Sequence, residues 1–95
     1  MPPLRFITPR DAKTDEFPWG SLDWLCRADI VEAEKLQLVH VRIPPGQGHN
    51  FHKHPEMEEI IYVLEGACEQ WVDREKRILG PGDAVHIPTG VVHCS

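Results

Sequence analysis

The chain is short, acidic and moderately apolar: it has 95 residues, 41% hydrophobic and 26% charged, and a formal net charge of −5 with its histidines neutral. This length predicts one small domain, because a second hydrophobic core would not fit. The negative charge, without any cluster of lysine and arginine among aromatic residues, predicts that nucleic acid is not a partner.

Residues 1–35 are rich in proline and charge, and they predict an N-terminal arm with an edge strand and a loop. A short strand is expected within this part from Ser21 to Arg27. The stretch from Asp29 to Lys35 has weak helical propensity, no cap and little length, so a turn fits it as well as a helix does.

Residues 36–95 alternate between short apolar runs and turn signals, which predicts the core of the domain. Strands are expected at Leu36–Ile43, Glu59–Leu64, Ala67–Val72 and Ala84–Ile87. A polar hairpin is expected at Asp73–Arg77, and the remaining turns coincide with glycine and proline. Short strands separated by turns at intervals of about 8–12 residues, without a convincing helix, predict an all-β sandwich or barrel.

Three histidines and one glutamate are spaced so that their side chains can meet. His52 and His54 stand two apart in an extended segment, so both imidazoles point to one face of a strand. Glu59 can rejoin that face after the bend at Pro55, and His93 follows a Pro-x-Gly turn that can bring it alongside. Three imidazoles and one carboxylate form a ligand set for a divalent transition metal ion. Two positions of a six-coordinate ion would stay open for water, dioxygen or a bidentate substrate.

Two motifs in this region resemble the two motifs of the cupin superfamily. The first is Gly46-x5-His52-x-His54-x4-Glu59-x6-Gly66, which matches at every fixed position. The second is Gly82-x5-Pro88-x-Gly90-x2-His93, whose closing asparagine would fall beyond Ser95. From average usage, four glycines and one proline at fixed positions recur by chance about once in 10⁶ registers. The resemblance to small single-domain cupins covers residues 46–93 in detail.

The resemblance implies a double-stranded β-helix, also called a jelly-roll barrel, with one divalent metal ion inside. By position, the implied ligands are His52, His54, Glu59 and His93. The ion would be iron, manganese, nickel, zinc, copper or cobalt, since mixed imidazole and carboxylate ligation tolerates all of them. Some cupins place the acid one residue nearer the histidines, where this chain has Glu58. Glu59 is preferred because it keeps the interval to Gly66, and because strand alternation puts Glu58 on the opposite face.

The barrel is expected to be incomplete at its C-terminus, because cupin barrels usually continue through further strands and this sequence stops two residues after His93. Either a partner chain covers the open edge, or the sequence is a fragment of a longer protein. The second interpretation is preferred.

The strand over residues 59–64 is apolar on both faces, which predicts that something covers its outer side. Ile60, Tyr62 and Leu64 form an apolar row on the face opposite Glu59. A sheet that is apolar on both faces must be covered on both. The N-terminal arm or a second subunit could provide the cover, and a homodimer is expected, in agreement with the habit of the family.

Neither a membrane segment nor a secretory signal is predicted. The longest unbroken apolar run covers residues 60–64, whereas a membrane-spanning helix needs about 20 residues. The first residues lack an apolar stretch behind their charge. The three cysteines, an odd number without paired spacing, are therefore expected to be reduced thiols in the cytoplasm.

Three classes of function are compatible with this pattern. The preferred one is a metal-dependent enzyme acting on a small organic molecule, of oxygenase, isomerase, decarboxylase or lyase type. General acid–base catalysis would then fall to Glu58, His49 or a water on the metal. The alternatives are a non-catalytic module that binds or senses a small ligand, and a structural metal barrel without a ligand. A cavity with two or more polar groups besides the ligands would favour the enzyme.

Overall fold

The computed structural model describes residues 5–48 and 51–94, and nearly all of its regular structure is β. Within these residues the strands are β1 (Lys13–Phe17), β2 (Gly20–Cys26), β3 (Leu38–Arg42), β4 (Glu59–Tyr62), β5 (Cys68–Val72), β6 (Glu75–Leu79), β7 (Ala84–Ile87) and β8 (His93–Cys94). A single 3-10 turn covers Pro9–Asp11, and these two stretches contain no helix that is long and apolar enough to cross a lipid bilayer. The all-β prediction is confirmed.

The chain forms two compact units, one ending at Gln47 and the other starting at Gly48. The first unit contains an antiparallel sheet in the order β1-β2-β3. Strand β1 has no apolar alternation, and all of its residues are exposed. Its side chains make polar cross-strand contacts instead: Thr14 donates to Asp23 (2.7 Å), and the Trp24 indole donates to Asp15 (3.1 Å). The division into an arm over 1–35 and a core over 36–95 stays a prediction.

Asp29, just after β2, lies between two basic side chains. Its carboxylate is 2.6 Å from Nε of Arg27 and 2.8 Å from Nζ of Lys13. The hydrogen bond from Arg27, followed by that from Lys13, holds the pKa of Asp29 well below its ordinary value. The same contact raises the pKa of Arg27.

Asp29→Asn is expected to lower stability slightly at neutral pH, and the difference from the unmodified chain is expected to narrow in acid. An aspartate with a lowered folded-state pKa contributes stability above its unfolded pKa, about 3.9, and loses that contribution as the pH falls through the folded-state value. The effect is small because both salt bridges are exposed to water. Thermal unfolding between about pH 7 and about pH 2 measures it. A difference that stays constant over this range would contradict the prediction.

The second unit contains two antiparallel sheets, β4-β7 and β6-β5-β8. His52 joins the edge of the second sheet through an isolated antiparallel bridge to His93 in β8. The polar hairpin expected at Asp73–Arg77 is shorter than predicted, because Glu75–Arg77 belong to β6. Asp73 accounts for this difference: its φ of 54° lies in the left-handed region, which aspartate tolerates, so a tight turn at residues 73–74 suffices.

Few side chains of the second unit are buried, and most of them lie on its strands. Val63, Leu79 and Ile87 are its buried apolar residues among those described, and Gln70 and His93 are its buried polar ones. On the opposite face of β4 and just beyond it, Ile60, Tyr62 and Leu64 are 71%, 59% and 60% exposed. The apolar outer row predicted from the alternation is therefore present. We call these three residues the outer row.

Candidate metal centre

Four side chains of the second unit converge: those of His52, His54, Glu59 and His93. Each offers one nitrogen or oxygen atom, and all four atoms lie within 4.8 Å of one another. These are the residues that the spacing in the sequence selects as ligands. The structure brings all four together.

The two sheets of the unit hold these residues in place. Glu59 opens β4 and lies opposite the buried Ile87 of β7, so its side chain points inward. His93 opens β8, where it pairs on one side with Val72 and on the other with His52. Its backbone exchanges two hydrogen bonds with His52, of 2.9 and 2.8 Å. Because antiparallel partners point their side chains to one face, this bridge places both imidazoles together.

His54 is held by a turn that follows β7. Its carbonyl accepts a hydrogen bond of 2.8 Å from the backbone N–H of Gly90. Gly90 has a φ of 76°, in the left-handed region that glycine adopts without strain. The glycine before His93 in the second motif therefore has a role in the site, since its backbone fixes the second histidine.

The four side chains differ in their exposure to solvent. His93 is only 1% exposed, whereas His52, His54 and Glu59 are half-buried. The imidazole rings are close, with centroids 4.1 Å apart for His52 and His93, and 5.0 Å apart for His52 and His54. Such a cluster is shielded at one side and reachable from the other.

His93 provides a test of whether the cluster suits a cation. Its Nδ1 lies 3.1 Å from the carbonyl of Val91, which can only accept, so this nitrogen carries the proton of a neutral ring. The lone pair is then on Nε2, which is buried and, alone among the buried side-chain nitrogen and oxygen atoms of residues 5–48 and 51–94, has no hydrogen bond. Nε2 nevertheless lies 3.3 Å from an oxygen of Glu59. Two electron-rich atoms this close are stabilised by a cation between them, and the residues fit a metal ion.

The donor separations agree with the same interpretation. Metal–ligand bonds of about 2.1 Å place neighbouring donors about 3.0–3.4 Å apart in octahedral or tetrahedral geometry. The Glu59 oxygen is 3.3 Å from Nε2 of His93 and 3.4 Å from Nε2 of His54. The carboxylate thus stands at a suitable distance from two of the imidazoles without any rearrangement.

Comparison with known proteins identifies the family. The family model of the Cupin domain matches residues 39–95. The chain belongs to the cupin family.

Its relatives include proteins of different lengths. The pectin degradation protein KdgF of Dickeya dadantii is 39% identical over 71 residues, which cover 74% of this chain and 64% of the relative. The mannose-1-phosphate guanylyltransferase ManC of Salmonella typhimurium is 29% identical over 77 residues, 81% of this chain but only 15% of that protein. Among solved structures, KdgF from Halomonas sp. matches with a TM-score of 0.83 and 26% identity, over 95% of this chain and 78% of that one. The structural match agrees with the predicted jelly roll.

Glu58 and His49 were the side chains named above for acid–base catalysis in the cupin. Glu58 lies on the outer face, where its carboxylate is 2.9 Å from Nε2 of His86 and both side chains are exposed. As alternation predicted, its carboxylate pairs with His86 and not with the cluster, and its suggested role in acid–base catalysis stays a prediction. His49 lies outside the described residues. The pairing of Glu58 with His86 leaves Glu59 as the acid of the site.

A cleft of about 530 Å³ lies in the second unit of this cupin, and the four clustered side chains are not part of its wall. Val72, the β5 neighbour of His93, contributes to its wall. Polar groups accompany it, among them the buried Gln70 and the exposed Arg77, whose Nε is 3.0 Å from the carboxylate of Glu75. The cleft therefore has several polar groups of its own.

Two features of the site were missed from the sequence. The carbonyl of Val91 orients His93, and no side-chain pattern signals a backbone contact of this kind. Phe51 packs against Trp71 on the other face of the sheet that carries His52 and His93, with ring centroids 6.0 Å apart. The alternation of Phe51 with His52 could have indicated an outward aromatic, but not its partner.

Proposed function

We propose that the protein is a metal-dependent cupin enzyme that acts on a small organic molecule, by a reaction of oxygenase, isomerase or lyase type. The ligands are His52, His54, Glu59 and His93, and the ion is one of iron, manganese, nickel, zinc, copper or cobalt. The observation that carries the proposal is the convergence of three imidazoles and one carboxylate within 4.8 Å, around a buried nitrogen without a hydrogen bond.

The chemistry follows from what each group can do. A divalent ion bound by these residues supplies a Lewis acid with positions open for substrate. The Val91 carbonyl keeps His93 in the tautomer that presents Nε2 to the ion. A non-catalytic module that binds or senses a ligand is the alternative.

The relatives support a carbohydrate-derived substrate. One of them is a pectin degradation protein, and another is named for mannose 1-phosphate. Since this chain spans only part of both, their activities extend to it as a proposal. A sugar derivative has adjacent oxygen atoms that can occupy two open positions of one ion.

Metal analysis followed by a turnover assay tests the proposal. Protein purified without a metal-affinity tag should contain about one divalent ion per chain, or take up one from a panel of the six candidates. The loaded protein should then convert sugar acids or related hydroxy-carbonyl compounds, or consume dioxygen with iron bound, and a chelator should abolish the reaction. Failure to bind any of the six ions would refute the proposal. Binding without turnover of any candidate would favour the sensing module.

We also propose a cytoplasmic homodimer. All three cysteines are free thiols, which supports a reducing compartment. The outer row, with Tyr62 at its centre, supports an interface, because contiguous exposed apolar side chains with an aromatic residue are typical of contact surfaces.

Ile60→Lys is expected to convert the dimer to a monomer at tens of micromolar, because a lysine within an apolar interface would be buried without a partner. Ile78→Lys is the matched control, since Ile78 is 68% exposed on β6, outside the outer row, against 71% for Ile60. Sedimentation velocity measures both variants. A monomeric parent chain, or a dimer that survives Ile60→Lys, would contradict this interface.

A further inference from the structure

The face of the β6-β5-β8 sheet opposite the metal ligands carries an aromatic contact. The ring of Phe51 meets the ring of Trp71 at 6.0 Å between centroids and 63° between planes, which is an edge-to-face arrangement. Phe51 directly precedes His52, and Trp71 directly precedes Val72, the partner of His93. Successive residues of a strand point to opposite faces, so this contact lies behind the metal site.

Trp71 is itself fixed in place from two sides. Its indole N–H donates a hydrogen bond of 3.1 Å to Glu69, two residues earlier on the same face. Nζ of Lys76, its cross-strand partner on β6, lies 5.6 Å from the ring centroid, within the range of a cation–π interaction. The indole therefore offers Phe51 a rigid surface.

The segment that bears His52 needs such a surface. In residues 51–58 the only β pairing is the single bridge of His52 to His93. The two backbone hydrogen bonds of this bridge, with the one from Gly90 to the carbonyl of His54, set the face to which His52 points. A second contact, from the opposite face, limits the remaining tilt of the segment. Phe51 makes that second contact, and fixing its ring outward fixes the imidazole of His52 inward.

We propose that Trp71 is a positioning residue of the metal centre, which holds His52 in its ligand orientation by packing against Phe51. This inference rests on the proposed function, since it presupposes that His52 binds a metal ion. Trp71 does not contact the ion, and its effect is exerted through the backbone between Phe51 and His52.

The test measures metal affinity and ligand geometry in single and double variants of the full chain. Phe51→Ala and Trp71→Ala should each weaken Co²⁺ binding by about tenfold to a hundredfold, the range found when a supporting contact of a ligand is lost. Each should also alter the visible absorption spectrum of the Co²⁺ protein. The double variant should be no weaker than either single variant, because both changes remove one contact. Phe51→Tyr, which keeps the ring, should bind as the parent chain does.

Several outcomes separate this inference from its alternatives. Trp24→Ala, which removes an indole from β2 in the other unit, should leave Co²⁺ affinity unchanged. If the parent chain binds Co²⁺ and both alanine variants bind it with unchanged affinity and spectrum, the positioning role is refuted while the metal site stands. If the parent chain binds no metal ion, the proposed function itself fails. Phe51 is 56% exposed, so its variant should fold even where Trp71→Ala does not, and normal Co²⁺ binding by Phe51→Ala alone would overturn the inference.

Discussion

Replacing His93 with alanine is expected to abolish stoichiometric metal binding. His93 is the most deeply buried of the four proposed ligands, and its Nε2 has no other hydrogen-bond partner. Removal of this donor leaves Glu59 without the imidazole that stands 3.3 Å from it. Loss of a supporting contact alone weakens metal sites by about 10–100-fold, so loss of a ligand should lower affinity by at least about 100-fold. Elemental analysis and titration with a divalent ion measure the change.

The outer face of the same sheets supplies the controls. His86→Ala removes an exposed imidazole that pairs with Glu58, and it should leave metal content unchanged. Glu59→Gln should weaken binding strongly, whereas Glu58→Gln, one residue away, should not. If the His52→Ala/His93→Ala double variant retains the metal content of the parent chain, the ligand assignment is wrong.

The convergence of the four side chains could be predicted from the sequence because it depends on short intervals. His52 and His54 share a face through the period of two in an extended chain, and Glu59 was separated from Glu58 by the same rule. The position of His93 depended on a longer inference, in which a glycine-containing turn returned the chain to the first histidine. That inference succeeded because the turn itself contacts the site, through Gly90 and the carbonyl of His54.

Other features of the structure depend on pairings that no local pattern encodes. Strand β1 has the sequence Lys-Thr-Asp-Glu-Phe, which lacks apolar alternation, and polar contacts to β2 hold it instead. The charged residues of β6 suggested a turn, yet they form an exposed edge strand, in which Glu75 and Lys76 pair with Val72 and Trp71 of β5. The contact of Phe51 with Trp71 joins residues 20 positions apart. Each of these features depends on how distant parts of the chain pair, which the local amino-acid composition does not reveal.

Ile87→Ala is expected to destabilise the metal-free protein by about 2–5 kcal/mol, the range for truncating a large buried aliphatic side chain. Ile87 is only 2% exposed and is among the largest fully buried side chains of the described residues. Ile78→Ala is the matched control, because Ile78 is 68% exposed. This substitution should change the free energy of unfolding by no more than about 0.5 kcal/mol. Urea unfolding of both variants gives the difference. Equal losses of unfolding free energy in the two variants would show that the inner face of β7 is not part of a packed core.

Ile87 also links the core to the metal centre, since it lies directly opposite Glu59 in the β4-β7 pair. A cavity at Ile87 should let β4 shift, so that the Glu59 carboxylate is positioned less firmly. Ile87→Ala should therefore lower metal affinity as well as stability. Ion at about 100 times the dissociation constant adds about 2.7 kcal/mol to a folded state that alone binds it. This gain should therefore be smaller in Ile87→Ala than in Ile78→Ala at the same ion concentration. If Ile87→Ala gains as much stability from the metal as the control does, the packing at Ile87 supports the fold without positioning Glu59.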